Sequence, residues 1–160
     1  MSSHPSKGTL TIQNALNTNG LSCSVIELPT SARTAKEAAE SIGCELSQIV
    51  KSLIFTTKDS QQPILILASG PNRISEAAIS RHIGEDIVKA DAALTKKITG
   101  FAIGGIPPIG HKNTIELIFI DQDLLNFDSL WAAAGTLHAV FNISSKDLVA
   151  ITKAKIITIH

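Results

Sequence analysis

Tyrosine is absent from the 160 residues, tryptophan occurs once and phenylalanine five times, so aromatics make up only 4% of the chain. A core built from this sequence has to be aliphatic. Net charge is missing as well, because 14 basic and 14 acidic residues cancel. A protein that grips nucleic acid by bulk charge needs an excess of clustered Lys and Arg; this balance leaves room only for a local patch. The two cysteines, Cys23 and Cys44, stand at no short metal-ligand spacing from each other or from a histidine, and they read as reduced thiols. No run approaches the roughly 20 apolar residues of a membrane span. The polar start MSSHPSKG lacks the apolar stretch of a signal peptide. The expectation is therefore a cytoplasmic protein without membrane contact. A Gly-x-Ser-x-Gly elbow, a Walker loop, a dinucleotide fingerprint and a His-x-x-x-His pair are all wanting, so a serine-hydrolase triad, nucleotide cradle or zinc site has no anchor, and no cofactor or metal is expected.

What is present suits one soluble domain: 44% hydrophobic and 18% charged residues, spanning 1–160 with 1–9 expected to be flexible. Leu10–Asn17 reads as a short helix stopped by Asn19-Gly20, and Ser22–Leu28 as a strand closed by Pro29. Thr34-Ala35-Lys36-Glu37 fits a capping box, with Ala35, Ala38, Ala39 and Ile42 on one apolar face and Gly43 as the left-handed stop. A helical turn is expected near Ser47. Val50–Thr57 and Pro63–Ser69, separated by a polar turn, predict a largely buried antiparallel hairpin. Ser75–His82 and Asp91–Ile98 read as capped helices followed by Gly84 and Gly100, with Ile87–Lys89 a short strand between them. Strands are expected at Thr114–Ile120, His138–Ile143 and Lys155–Ile159, and helices at Ser129–Ala134 and Ser145–Ile151. Short strands and helices without strict βαβ alternation define a mixed α/β (α+β) domain, a curved mixed β-sheet flanked by short helices.

Three features could carry chemistry. Lys51 sits inside an apolar strand, on the same face as Leu53 and Phe55. It reads either as a strand-end lysine reaching solvent or as a cation at a pocket mouth aimed at a phosphate or carboxylate. The segment Gly104-Gly105-Ile106-Pro107-Pro108-Ile109-Gly110 reads either as a structural turn or as a stiffened loop whose amides could face a developing oxyanion. His138, on a strand face with Val140 and Asn142, reads either as a satisfied rim histidine or as a pocket residue.

Together and in this order, these segments resemble the YbaK and prolyl-tRNA-synthetase-associated editing domain family. The matching stretches are Thr34-Ala35 to Ile42-Gly43, Gln48 to Phe55, Ala68-Ser69-Gly70-Pro71-Asn72-Arg73-Ile74, Thr99-Gly100-Phe101 with Gly104 to Gly110, Ala134-Gly135, and Ser145-Lys146-Asp147-Leu148. The resemblance implies a pocket for the 3′ end of an aminoacyl-tRNA and hydrolysis of a mischarged ester, with a small residue such as Ala, Cys or Ser carried on tRNA-Pro among the candidates. It implies that Lys51 is the central site residue, that Gly104 and Gly105 supply backbone donors near the scissile carbonyl, and that His138 lines the substrate pocket as polar residues of this segment do in other branches; Thr34 and Ser52 are substrate-site rim residues by position only. An aminoacyl-tRNA synthetase is a further candidate partner. The serine of the cysteine-clearing branch falls at or near Ala133 and its aspartate near Val140, a departure that puts cysteine specificity in doubt. The alternative within the same fold is a non-catalytic module that binds tRNA or a synthetase.

Overall fold

A computed structural model describes residues 7–160. Along the chain run α1 (Lys7–Thr18), β1 (Val25–Glu27), α2 (Ala35–Ile42), a 3-10 turn (Leu46–Gln48), β2 (Ile49–Thr57), β3 (Pro63–Ser69), α3 (Glu76–Ile83), β4 (Ile87–Lys89), α4 (Ala92–Thr99), β5 (Leu117–Asp121), a second 3-10 segment (Gln122–Asn126), β6 (Ser129–Ala133), β7 (Ala139–Ser144), α5 (Ser145–Thr152) and β8 (Lys155–Ile157). The strands form one mixed sheet in the order β1-β7-β6-β2-β3-β5-β8, with β4 pairing β2.

The hairpin of β2 and β3 is its spine, antiparallel from Val50 opposite Ser69 to Thr56 opposite Pro63. Both faces are covered, which is why β3 reads as an unbroken apolar run rather than an alternating one. On one face Ile54, Leu65 and Leu67 pack with Ile12 and Leu16 of α1, Phe101, Ile120, Phe141 and Leu148. On the other, Phe55, Ile64, Ile66 and Ala68 pack with Ile79 of α3, Phe119 and Ile159. Few aromatics are needed because the β-branched and Leu side chains interdigitate in two layers.

The caps behave as their chemistry dictates. Thr34, Ser75, Asp91 and Ser144 each accept from the amide three residues on, and Gly43, Gly84 and Gly100 close α2, α3 and α4 in the left-handed conformation. The expected capping box at Thr34 is only half formed, since the Glu37 carboxylate accepts from the Thr34 hydroxyl at 3.3 Å.

Other expectations are corrected. Ser129–Ala133 is a strand, not a helix. The ladder with β2 on one side and β7 on the other overrides the helix propensity of its alanines, and Leu130 and Ala132 alternate inward in register. The first strand is confined to Val25–Glu27 and the strand expected at Thr114 begins at Leu117. Within the segment expected to be flexible, 1–6 lie outside the described residues, whereas Lys7–Thr9 open α1. Thr9 is buried there, and the Gly8 backbone sits against Phe101 and Gly135.

Candidate active site

β2 is paired unequally on its two edges. β3 covers one edge throughout. On the other, β6 meets only Ile49 and Val50, and β4 meets only Phe55 to Thr57. The edge at 51–53 is bare, and a cavity of about 460 Å³ opens there. It is walled by β2, by the start of α2, by Trp131 and Ala133 of β6, and by the loops carrying Gly104 and Leu137. Ala90 donates to the Ile54 carbonyl at 3.1 Å from this side. Backbone groups alternate sides along a strand, so Ser52, between Val50 paired with β6 and Ile54 bonded to Ala90, turns its N–H and C=O groups toward the gap. The Ser52 hydroxyl oxygen is buried with no hydrogen-bond partner among the described residues. A bare strand edge and an unpaired hydroxyl are what a polar ligand group would complete.

Lys51 is half-buried and lines this cavity together with Gly104, Thr34 and Ser52. Its ammonium donates to the Asn72 carbonyl at 2.6 Å. Burial pushes the Lys51 ammonium below its ordinary pKa, Asp121 pulls it back up, and Arg73 and Lys89 push it down again.

Gly104 holds φ near +96°, and a Cβ there would stand 2.6 Å from the Leu137 side chain. Its amide has no acceptor among the described residues. Gly105 differs from expectation: its amide donates to the Ala102 carbonyl and its carbonyl accepts from Gly135. It is glycine because a Cβ would lie 3.0 Å from the Thr136 backbone. Gly105 therefore locks the loop, leaving Gly104 as the amide on the cavity wall. The loop is pinned further by the His111 ring, 2.7 Å from the Pro107 carbonyl; burial depresses the His111 pKa while that bond to Pro107 raises it.

His138 lies outside the cavity. It is exposed and precedes β7, while its neighbours Leu137 and Val140 line the wall. The strand begins at Ala139, so His138 falls in the turn before it and outside the alternation expected to place it. Thr34 is on the rim, its oxygen occupied by the α2 cap.

The features with no sequence signal of their own are collective. Among the described residues the wall carries Arg33, Lys36, Lys51 and Lys89 but no Asp, Glu, His or Cys. A neutral chain thus concentrates cations at one mouth, over a floor that includes Ile49, Trp131, Ala133, Leu137 and Val140. The group nearest to a metal-ligand set lies elsewhere: Asp121, Asp123 and His160 hold atoms within 4.8 Å of one another, in a geometry already accounted for by the Asn72 amide shared between the two carboxylates and by His160 at 3.2 Å from Asp123.

An α/β domain with a bare-edged strand, a cationic mouth and an apolar floor defines an anion-bearing-ligand pocket. Residues 30–151 match the family description of the aminoacyl-tRNA editing domain, and the chain belongs to that family. It is 31% identical over 132 residues to an uncharacterized protein, YwhH, of Bacillus subtilis (strain 168), covering 82% of this chain and 83% of that one. It is 35% identical over 97 residues to a proline–tRNA ligase of Limosilactobacillus fermentum, a match covering 58% of this chain but 17% of the ligase. A crystal structure described as a candidate trans-editing enzyme for prolyl tRNA synthetase superposes with a TM-score of 0.91 at 40% identity, covering 97% of this chain and 98% of that one.

Proposed function

We propose that the protein is a trans-acting aminoacyl-tRNA deacylase, which hydrolyses the ester between a small, wrongly attached amino acid and the terminal ribose of a tRNA. The observation that carries this is the cavity wall: among the described residues, four cations, no acid, and an apolar floor beside Gly104. The cations meet the phosphates and ribose of the 3′ end. The floor receives a short aliphatic side chain. Gly104 and Ser52 both line the cavity, and their amides are the donors this reading assigns to the carbonyl oxygen as it gains charge.

The chemistry asks for little else. Water adds to the ester carbonyl, the acyl–oxygen bond breaks, and the ribose hydroxyl leaves with a proton. Because the ester is already activated, holding it beside aimed donors supplies most of what a catalyst must provide. This fits a wall without a His or carboxylate base. Ala133 and Val140, at the places associated with the polar pair of the cysteine-clearing branch, both line the floor. An apolar floor favours alanine over serine, because a buried hydroxyl without a partner costs roughly 1–3 kcal/mol. Relatives that are proline–tRNA ligases make tRNA-Pro the first carrier to examine. A synthetase is the natural partner to deliver it, since a local patch on a neutral surface binds tRNA weakly.

The absence of a side-chain base also suits the second reading, a module that binds tRNA or a synthetase without turnover. Purified protein added to tRNA-Pro charged with Ala, Cys, Ser or Thr separates the two. The deacylase reading expects the alanyl ester to decay at least tenfold faster than without protein and faster than the seryl ester. Four unchanged half-lives would leave only the binding module.

A further inference from the structure

Behind the cavity the fold buries one carboxylate that no cation touches among the described residues. Asp121, at the end of β5, is 0% exposed. It accepts from the Ser69 amide at 3.0 Å, from the Asn72 side-chain amide at 2.8 Å and from the Asp123 amide at 3.0 Å. All three donors are neutral, yet a buried anion without a counter-charge costs several kcal/mol, on the order of the desolvation penalty of a single ion.

The cation stands one peptide group away. The Lys51 ammonium donates to the backbone carbonyl of Asn72, the residue whose side chain is bonded to Asp121. The second hydrogen of that side-chain amide goes to Asp123 at 2.7 Å, so Asn72 is held from two sides. The turn that carries it is closed by the Asn72 amide donating to Ser69 at 2.9 Å. It is seated so tightly that a Cβ on Gly70 would fall 2.3 Å from the Leu46 carbonyl oxygen.

We propose that Asn72, clamped by Asp121 and Asp123, is the positioning residue that aims the Lys51 ammonium into the cavity, and that Asp121 is the counter-charge that keeps this lysine cationic without capping it. A direct ion pair would tie the ammonium to the carboxylate. With a carbonyl interposed, one of its three donors is spent and two are left for the ligand. The charges facing Lys51 are Asp121 on β5, Arg73 beyond the turn and Lys89 on β4. Asp123 and His160 lie further out, paired at 3.2 Å. Of these influences only Asp121 raises the lysine; burial, Arg73 and Lys89 all lower it. Removing the carboxylate charge therefore moves the loss of the lysine's proton to lower pH.

The inference rests on Lys51 being the cation that meets the substrate, and the test keeps the two apart. The Lys51 titration is followed by 13C NMR of its Cε without substrate, in the wild type, Asp121→Asn and Asn72→Ala, alongside deacylation kinetics across pH. Asp121→Asn is expected to lower the Lys51 midpoint and the alkaline limb of kcat/KM together, by about half a unit or more. Asn72→Ala is expected to reduce kcat about tenfold or more while KM changes less. An unmoved midpoint in Asp121→Asn overturns the counter-charge role, and wild-type kcat in Asn72→Ala overturns the positioning role. Should Asp121→Asn fail to fold, Asp123→Asn at the exposed end of the clamp is expected to lower kcat in the same direction as Asn72→Ala, and an unchanged kcat there counts against the clamp. A shifted midpoint in a protein without deacylase activity would sink the functional reading alone.

Discussion

The two edges of β2 are built from the same nine residues and do opposite things. Toward β3 every residue from Val50 to Thr56 has a partner, and the facing side chains of β3 from Ile64 to Ser69 are buried. Toward β6 and β4 the strand is covered only at its ends, and the bare middle becomes the cavity wall. The contrast teaches where stability ends and function begins. Apolar burial on the closed edge supplies the rigidity that lets the open edge carry a half-buried lysine, an unpaired hydroxyl and a positive-φ glycine, none of which stabilises the fold.

The comparison can be broken first on its closed side. Leu65 is fully buried opposite Ile54. Leu65→Ala is expected to cost about 2–5 kcal/mol by denaturant unfolding, with the hydrolytic rate of the folded fraction little changed; a loss under about 1 kcal/mol would mean that the hairpin is not the spine. A smaller effect is expected at the rim. Thr34→Ala removes the cap of α2 and should cost about 1 kcal/mol, raising KM for the charged tRNA as the helix end carrying Lys36 frays. Unchanged stability and KM would detach α2 from the site.

The smallest effect sharpens the contrast through pH. The His111 pKa is depressed in the fold, so the folded protein binds a proton less readily than the unfolded chain. Its contribution to stability is complete above the ordinary histidine value of about 6.5 and is lost as pH falls from there toward the folded value. His111→Gln is expected to flatten the slope of melting temperature against pH across that acidic window and to leave the slope above it unchanged. Equal slopes in both proteins would show that another group sets the acid sensitivity.

Much of the closed side was legible in the sequence, and little of the open side. Runs such as Pro63–Ser69 and the cap pairs Thr34 with Gly43, Ser75 with Gly84, and Asp91 with Gly100 are local signals, set by side chains within a few residues of the backbone they act on. The β6 segment misled because its alanines favour a helix, whereas the ladders that hold it come from β2, some 80 positions away, and from β7. His138 was misplaced because it belongs to the turn before β7 rather than to the strand itself. Lys51 stood out because a cation inside an apolar strand is anomalous. Its supports did not: Asn72 looks like a turn residue and Asp121 like a strand end until the parallel pairing of β3 with β5 brings them together. The cationic mouth was invisible for the same reason, since Arg33, Lys36 and Lys89 are ordinary residues on separate segments in a neutral chain.

Lys51→Ala is the most direct trial of the central claim, with deacylation of alanyl-tRNA-Pro and thermal unfolding measured on the same preparation. Replacing a half-buried ammonium with a methyl group removes a desolvation cost along with one hydrogen bond, so the melting temperature is expected to stay within roughly 2–4 °C of wild type, the shift that corresponds to 1 kcal/mol in a domain of this size. Turnover is expected to fall at least about a hundredfold, as when a preorganised charge is taken from a site. A folded variant that clears the ester at the wild-type rate would contradict the account.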